Sequence, residues 1–198
     1  PARHRHRQQI VSAAAGVGEY ISVTPESLKK TRAALSRFHE KLAGLPATQV
    51  RAVGTQALRE AANSSEFLPK AEAALGYPSG ILSGHEEARL FFKGCARTLP
   101  PSDKRRLVVD IGGASTEFVV GQDLEAQEYE SYHVGCVNTS MKFFADGVIT
   151  AEKLDKAIVA CCAEFSEGEH KFNDTKFDEA YGSAGTFGAV SDICVAQG

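Results

Sequence analysis

Apolar positions change period along the chain, and the changes predict alternating helices and strands. Leu28, Ala34, Leu35, Phe38 and Leu42 recur at helical spacing. The Thr24-Pro25-Glu26 before them reads as N-cap, N1 proline and acidic first turn, and Gly44 with Pro46 ends the helix. Thr48 to Val53 alternates as a strand, and Gly54 to Arg59 reads as a strand end entering a helix. Phe67, Leu68, Ala71 and Leu75 line a helix capped by Ser64 or Ser65 and stopped at Gly76-Tyr77-Pro78. A short strand at Ile81-Leu82 leads into a helix from about Gly84 to Arg97.

Leu99-Pro100-Pro101-Ser102-Asp103 is the strongest break in the pattern, and it predicts two domains, residues 1–100 and 105–198. Beyond it, Leu107–Ile111, Glu117–Gly121 and Ala126–Val134 read as strands, and Cys136–Phe144 as a helix. A helix starting at Thr150 sets Leu154, Ala157, Ile158 and Cys161 on one side. Glu179–Gly182 is a strand that enters Gly182-Ser-Ala-Gly-Thr186 and a last helix. Near the start, Arg3 to Ile10 alternates so that His4 and His6 share a face. With no third ligand nearby, a solvated edge strand is expected there rather than a metal site. Ala13 to Gly18 is a small-residue loop.

Composition narrows the class. With 198 residues, 43% of them hydrophobic and 24% charged, the chain can build a sizeable core. A net charge of −3 offers no broad attraction to nucleic acid or acidic membranes, so neither is expected as a partner and a polyanion must be held locally. No stretch has the length of a membrane span and no signal sequence opens the chain. Five cysteines without a CxxC pair or zinc-ligand spacing fit a reducing cytoplasm.

Four segments carry candidate chemistry. Asp110-Ile-Gly-Gly-Ala-Ser-Thr-Glu117 joins two strands through a small-residue turn whose amides and hydroxyls can approach phosphate oxygens. The next element is a strand, which excludes a Walker-type loop and a Rossmann turn. Asp110 and Glu117 are placed to flank a bound phosphate and hold Mg²⁺ through oxygens or waters. Strand alternation sets Glu117 and Val119 on one face and Phe118 and Val120 on the other. In Ser83-Gly-His-Glu-Glu-Ala-Arg89, two carboxylates sit in a first helical turn, as macrodipole partners or as a general base for an attacking water. Arg59 is a bidentate phosphate contact or a solvated surface arginine. Gly182-Ser-Ala-Gly-Thr186 suits phosphate contact at a helix N-terminus, and lacks the spacing that would make Ser183 a nucleophile.

Together GTQALREAANSSEFL, SGHEEARLFFKG, VVDIGGASTEFVVG, HVGCV and GSAGT resemble, in order and separation, the exopolyphosphatase / guanosine pentaphosphate phosphohydrolase family of the actin-like ATPase superfamily. The resemblance implies α/β domains of the actin/Hsp70-like (ribonuclease H-like) kind, two of them facing a cleft. It implies Mg²⁺-assisted removal of a terminal phosphate from inorganic polyphosphate or a guanosine polyphosphate. Glu87 matches the catalytic base, and Asp110 and Glu117 match the carboxylates associated with the metal and the water. Gly112, Gly113 and Ser115 match the second phosphate loop, with Ala114 where the family's third glycine stands. Arg59 and the Gly135-Cys136 turn match positions near the phosphate chain, and Gly182 and Ser183 are expected to add contacts. A left-handed Ala114 would cost on the order of 1 kcal/mol. The chain is expected to be partial at both ends, the family's first phosphate loop lying upstream of Pro1. Two alternatives stay open, a kinase or ATPase of the same superfamily and a non-catalytic polyphosphate- or alarmone-binding module. A homodimer is also left open.

Overall fold

The computed structural model describes residues 22–172 and 175–198. The expected strand at residues 3–10 with His4 and His6, and the loop at 13–18, lie outside them. Two compact units divide between Leu82 and Ser83.

In the first unit, helix α1 (Pro25–Leu42) begins as its sequence predicts, with the Thr24 hydroxyl accepting from the Ser27 amide. A 3-10 turn at Ala47–Gln49 follows, so only Ala52–Gly54 of the expected strand forms as β1. The preceding Pro46 carbonyl accepts from the Gln49 amide and curls the segment before it can extend. Strand β1 pairs in parallel with β2 (Ser79–Ile81). Between them lie the short α2 (Gln56–Glu60) and α3 (Ser64–Leu75), which ends on a left-handed Gly76. Val23, Ala61, Phe67 and Ala71 form the core of this unit, with Leu28, Leu35 and Leu58 against it. Asn63, at the cap position of α3, turns its amide to both the N–H and the C=O of Val23, each at 2.9 Å.

The second unit is built on a four-stranded sheet in the order β5-β4-β3-β6. Strand β3 (Arg105–Ile111) runs antiparallel to β4 (Thr116–Gln122), which runs antiparallel to β5 (Glu125–Tyr132). Strand β6 (Glu179–Ser183) joins β3 in parallel on its other side. Arg106, 3% exposed, ties β6 to β3 by bonding its register partner Glu179 and the Pro100 carbonyl. Hydrogen bonds from Lys104, Tyr181 and Arg106 hold the Glu179 carboxyl down to about 2.

Helix α4 (Gly84–Thr98) is capped by the Ser83 hydroxyl, which accepts from the Glu86 amide. It covers one face of the sheet, where Ala88, Phe92 and Ala96 meet Val108 and Val119. The three helix residues lie four apart, so they form one stripe. This packing places α4 with the strands, and the compact units therefore divide before Ser83 rather than in the linker at residues 99–103. On the opposite face Phe118 packs edge-on to Tyr132 and to Phe165, the latter from α6 (Ala151–Ser166). The predicted split of Val119 and Phe118 between the two faces is observed.

Between β5 and α6 lies α5 (Cys136–Phe143), and α7 (Ala184–Gln197) follows β6. Of the expected apolar side of α6 only Ala157 is buried, while Leu154 and Ile158 are about half exposed, at 46% and 50%. Among the described residues no helix is long and apolar enough to cross a membrane.

Phe92 is fully buried between helix and sheet. Phe92→Ala is expected to destabilise the second unit by about 3–5 kcal/mol, the cost of an aromatic-sized cavity. Thermal denaturation of the variant against the wild type measures it.

Candidate active site

The register of the sheet sets out two rows on the face covered by α4. Tyr129, Val119, Val108 and Tyr181 lie opposite one another across the four strands, and all four belong to the apolar core. Two residues further along, the next row on that face is Ser131, Glu117, Asp110 and Ser183. Side chains directly opposite in adjacent strands share a face, so the pairing brings Asp110 beside Glu117. This end of β3 and β6 is also their carboxyl end, where open α/β sheets place ligands.

Glu117 is 2% exposed and accepts a hydrogen bond from the Ser131 hydroxyl at 2.9 Å, with a second from Ser115. One buried oxygen of Asp110, Oδ1, has no partner among the described residues. Burial raises the pKa of both carboxyls above their ordinary values, and the charge of Glu87 raises both further. Glu87 is therefore close enough to be felt by both. It stands four and eight residues before Phe91 and Cys95, which pack on the sheet core, so helical periodicity turns it to the same side. Its neighbour Glu86 points elsewhere, bonded to Arg89 through both oxygens at 2.7 and 2.8 Å. Structure thus separates two adjacent glutamates that local sequence alone left equivalent.

Gly112 to Ser115 closes the β3–β4 hairpin, with the Gly112 amide donating to the Ser115 carbonyl. Behind it, the first amides of α5 hold the loop: Cys136 N–H donates to the Gly112 carbonyl at 2.9 Å, and Val137 and Asn138 N–H donate to that of Gly113. In a planar trans peptide the carbonyl and the following N–H point in opposite directions. Drawing these carbonyls toward α5 therefore aims the amides of Gly113 and Ala114 away from it. Among the described residues no backbone carbonyl accepts from the amides of Gly113, Ala114 or Ser115. The approach of α5 requires Gly135, since a Cβ there would lie 2.4 Å from the backbone of Gly113 and Ala114.

Other expected residues are placed differently. Ala114 does not have positive φ, so the anticipated strain is absent; the left-handed alanine is Ala184, at φ 67°. The Cys136 amide already serves the loop, so that turn braces Gly112 and Gly113 with its backbone. Gly182 leaves room for the Phe187 ring, which a Cβ would meet at 2.3 Å. Ser183 ends the carboxylate row, and its hydroxyl bonds the Cys95 thiol. Arg59 belongs to the first unit, where its guanidinium bonds Gln56 Oε1 at 2.9 Å and the Leu82 carbonyl at 2.8 Å. The Thr116 hydroxyl, expected with that of Ser115 to reach phosphate oxygens, is buried and donates to the Val134 carbonyl instead, while Ser131 and Asn138 do not stand out in the sequence. The register of β4 on β5 finds Ser131, but it needs the length of the connecting turn.

A carboxyl with a raised folded-state pKa binds its proton more tightly in the native than in the unfolded state. Between the ordinary and the raised value, stability therefore falls as pH rises. Relative to an Asp110→Asn/Glu117→Gln variant in divalent-free buffer, the wild type is expected to lose stability as pH climbs through that window. Denaturant titrations across pH test this, and parallel profiles for the two proteins would refute it.

The profile of the Ppx/GppA phosphatase family matches residues 4–198. The chain is 39% identical over 188 residues to guanosine-5'-triphosphate,3'-diphosphate pyrophosphatases of Photobacterium profundum and Vibrio parahaemolyticus, covering 95% of itself and 38% of each of them. It thus spans well under half the length of these curated relatives. Among solved structures, an exopolyphosphatase-like protein superimposes with a TM-score of 0.74 at 28% identity, over 83% of this chain and 52% of the other. The Aquifex aeolicus PPX-GPPA enzyme gives 0.63 at 26%, over 83% and 53%. An exopolyphosphatase from Cytophaga hutchinsonii, 22% identical over 89% of this chain and 56% of the other, agrees in fold with a TM-score of 0.74. The mixed α/β architecture expected from the sequence is the one these structures share, and the chain belongs to the Ppx/GppA phosphatase family.

Proposed function

We propose that this chain carries the catalytic carboxylates and one phosphate loop of a phosphoanhydride hydrolase that releases terminal phosphate from inorganic polyphosphate or a guanosine polyphosphate. The observation that carries the reading is one juxtaposition. Asp110 and Glu117, with the charge of Glu87 bearing on both, adjoin a hairpin turn in which the amides of Gly113, Ala114 and Ser115 have no backbone acceptor among the described residues. Phosphoryl transfer needs positioning and charge stabilisation more than covalent chemistry, and those are what these groups offer. The names of the curated relatives support a guanosine polyphosphate, and that of the exopolyphosphatase-like protein supports polyphosphate.

In this reading the loop amides orient the oxygens of the terminal phosphoryl group. Glu87 holds the attacking water and takes its proton. Ser131 and Ser115 keep the Glu117 carboxylate fixed in rotamer, and Asp110 faces the same space from the adjacent strand.

The donor set suits a hard cation such as Mg²⁺, because Asp110 has a buried oxygen with no partner among the described residues and stands beside the carboxylate of Glu117. Asp110 and Glu117 would hold it. As they stand, no three potential ligands among the described residues converge on one point, so substrate oxygens and water would complete the shell. When bound, the ion supplies Lewis-acid stabilisation of phosphoryl charge.

In the intact protein, Glu87→Gln is expected to lower phosphate release by about 10²–10⁴-fold, the usual contribution of a general base. Binding of substrate should persist. Turnover of polyphosphate and of the guanosine polyphosphate, measured side by side, checks both the role and the preference; undiminished release would sink the assignment.

A further inference from the structure

We propose that Asn138 is a positioning residue for the phosphate loop, an inference that rests on the reading of Gly112–Ser115 as that loop. Asn138 occupies the third position of α5 and is half-buried. Its Oδ1 accepts from the Gly135 amide at 2.8 Å, and its Nδ2 donates to the Ala114 carbonyl at 2.9 Å. Nδ2 also reaches the His133 carbonyl at 3.4 Å. One side chain thus links the cap of α5 to the tip of the hairpin.

The loop has three peptide planes whose orientation decides where its amides point. Backbone donors of α5 hold the Gly112 and Gly113 carbonyls. The carbonyl of Ala114 is held by Asn138. Because the peptide is trans and planar, drawing this oxygen toward α5 sends the Ser115 amide the other way, alongside those of Gly113 and Ala114. Asn138 thereby completes a set of three parallel donors, and a backbone amide pre-aimed in this way needs no reordering when phosphate arrives. Gly135 has no side chain with which to cap α5, so the same asparagine also satisfies the orphan amide at that end.

Two substitutions separate the two bonds. Asn138→Ala removes both, whereas Asn138→Asp keeps an acceptor for Gly135 and cannot donate to Ala114. Two measurements are made on the intact protein: calorimetric binding of tripolyphosphate, and hydrogen exchange at the Cys136 and Val137 amides that lock the loop. Both variants are expected to bind tripolyphosphate about five- to ten-fold more weakly, the effect of one lost hydrogen bond at a partly buried site. Both should also exchange faster at Cys136 and Val137, while Asn138→Asp keeps a near-native Tm. The uncharged Asn138→Ala shows that the loss is not charge repulsion. An Asn138→Asp protein with native affinity and native exchange would overturn the proposal. If the wild type itself binds no tripolyphosphate, the phosphate reading fails, and the exchange comparison, which needs no ligand, still decides for or against the clamp.

Discussion

The register of β3 against β4 is the constraint on which the second unit depends. It is set by a turn of only two residues beyond the paired glycine and serine, Gly113 and Ala114, and it propagates in both directions across the sheet. In that register Val108 meets Val119 beneath Phe92, and Asp110 meets Glu117 two residues further on. A slip of β4 by one residue would turn Val119 and Glu117 to the face occupied by Phe118 and Tyr132 and leave Val108 and Asp110 without them. The apolar row and the carboxylate row are therefore a single commitment. The first stabilises the arrangement, and the second places like charges opposite each other, which by itself is unfavourable. Burial raises the pKa of both carboxyls, the charge of Glu87 adds to each, and that of Asp110 adds to Glu117.

Beside the carboxylates, the fold spends the N-terminal amides of α5 on the carbonyls of the hairpin. A helix N-terminus facing a glycine turn suggests direct anion binding. Here the helix binds the loop, and the loop presents its own amides. The close approach explains why residue 135 is glycine, and Ala114 carries no left-handed strain because its φ is not positive. Strain is found instead at Ala184, where β6 hands over to α7 beside the end of the carboxylate row. A left-handed alanine costs roughly 1–2 kcal/mol.

Much of this was legible in the chain itself. Local chemistry set the ends of the helices, because a hydroxyl cap, an N1 proline or a glycine stop acts within a few residues, as at Thr24, Ser83 and Thr150. Period-two alternation assigned Val119 and Phe118 to opposite faces, since side-chain direction along a strand needs no partner. Asp110, the glycine pair and Glu117 stood out because their residue types and their spacing are both local.

What the sequence by itself determined, then, was the succession of elements, the faces of the strands and the identity of the loop and its carboxylates. Tertiary structure alone decided which distant groups meet them. Only packing of the α4 stripe on the sheet turns Glu87 toward Asp110 and leaves Glu86 with Arg89. Only strand pairing brings Ser131 and Ser183 into the row, and only the approach of α5 engages Asn138 with Ala114. These contacts join residues tens of positions apart, and their geometry depends on register and helix placement, which no local period encodes. The same holds for Arg59: its residue type suggested a phosphate contact, and its neighbours in the fold engage it with Gln56 and the Leu82 carbonyl.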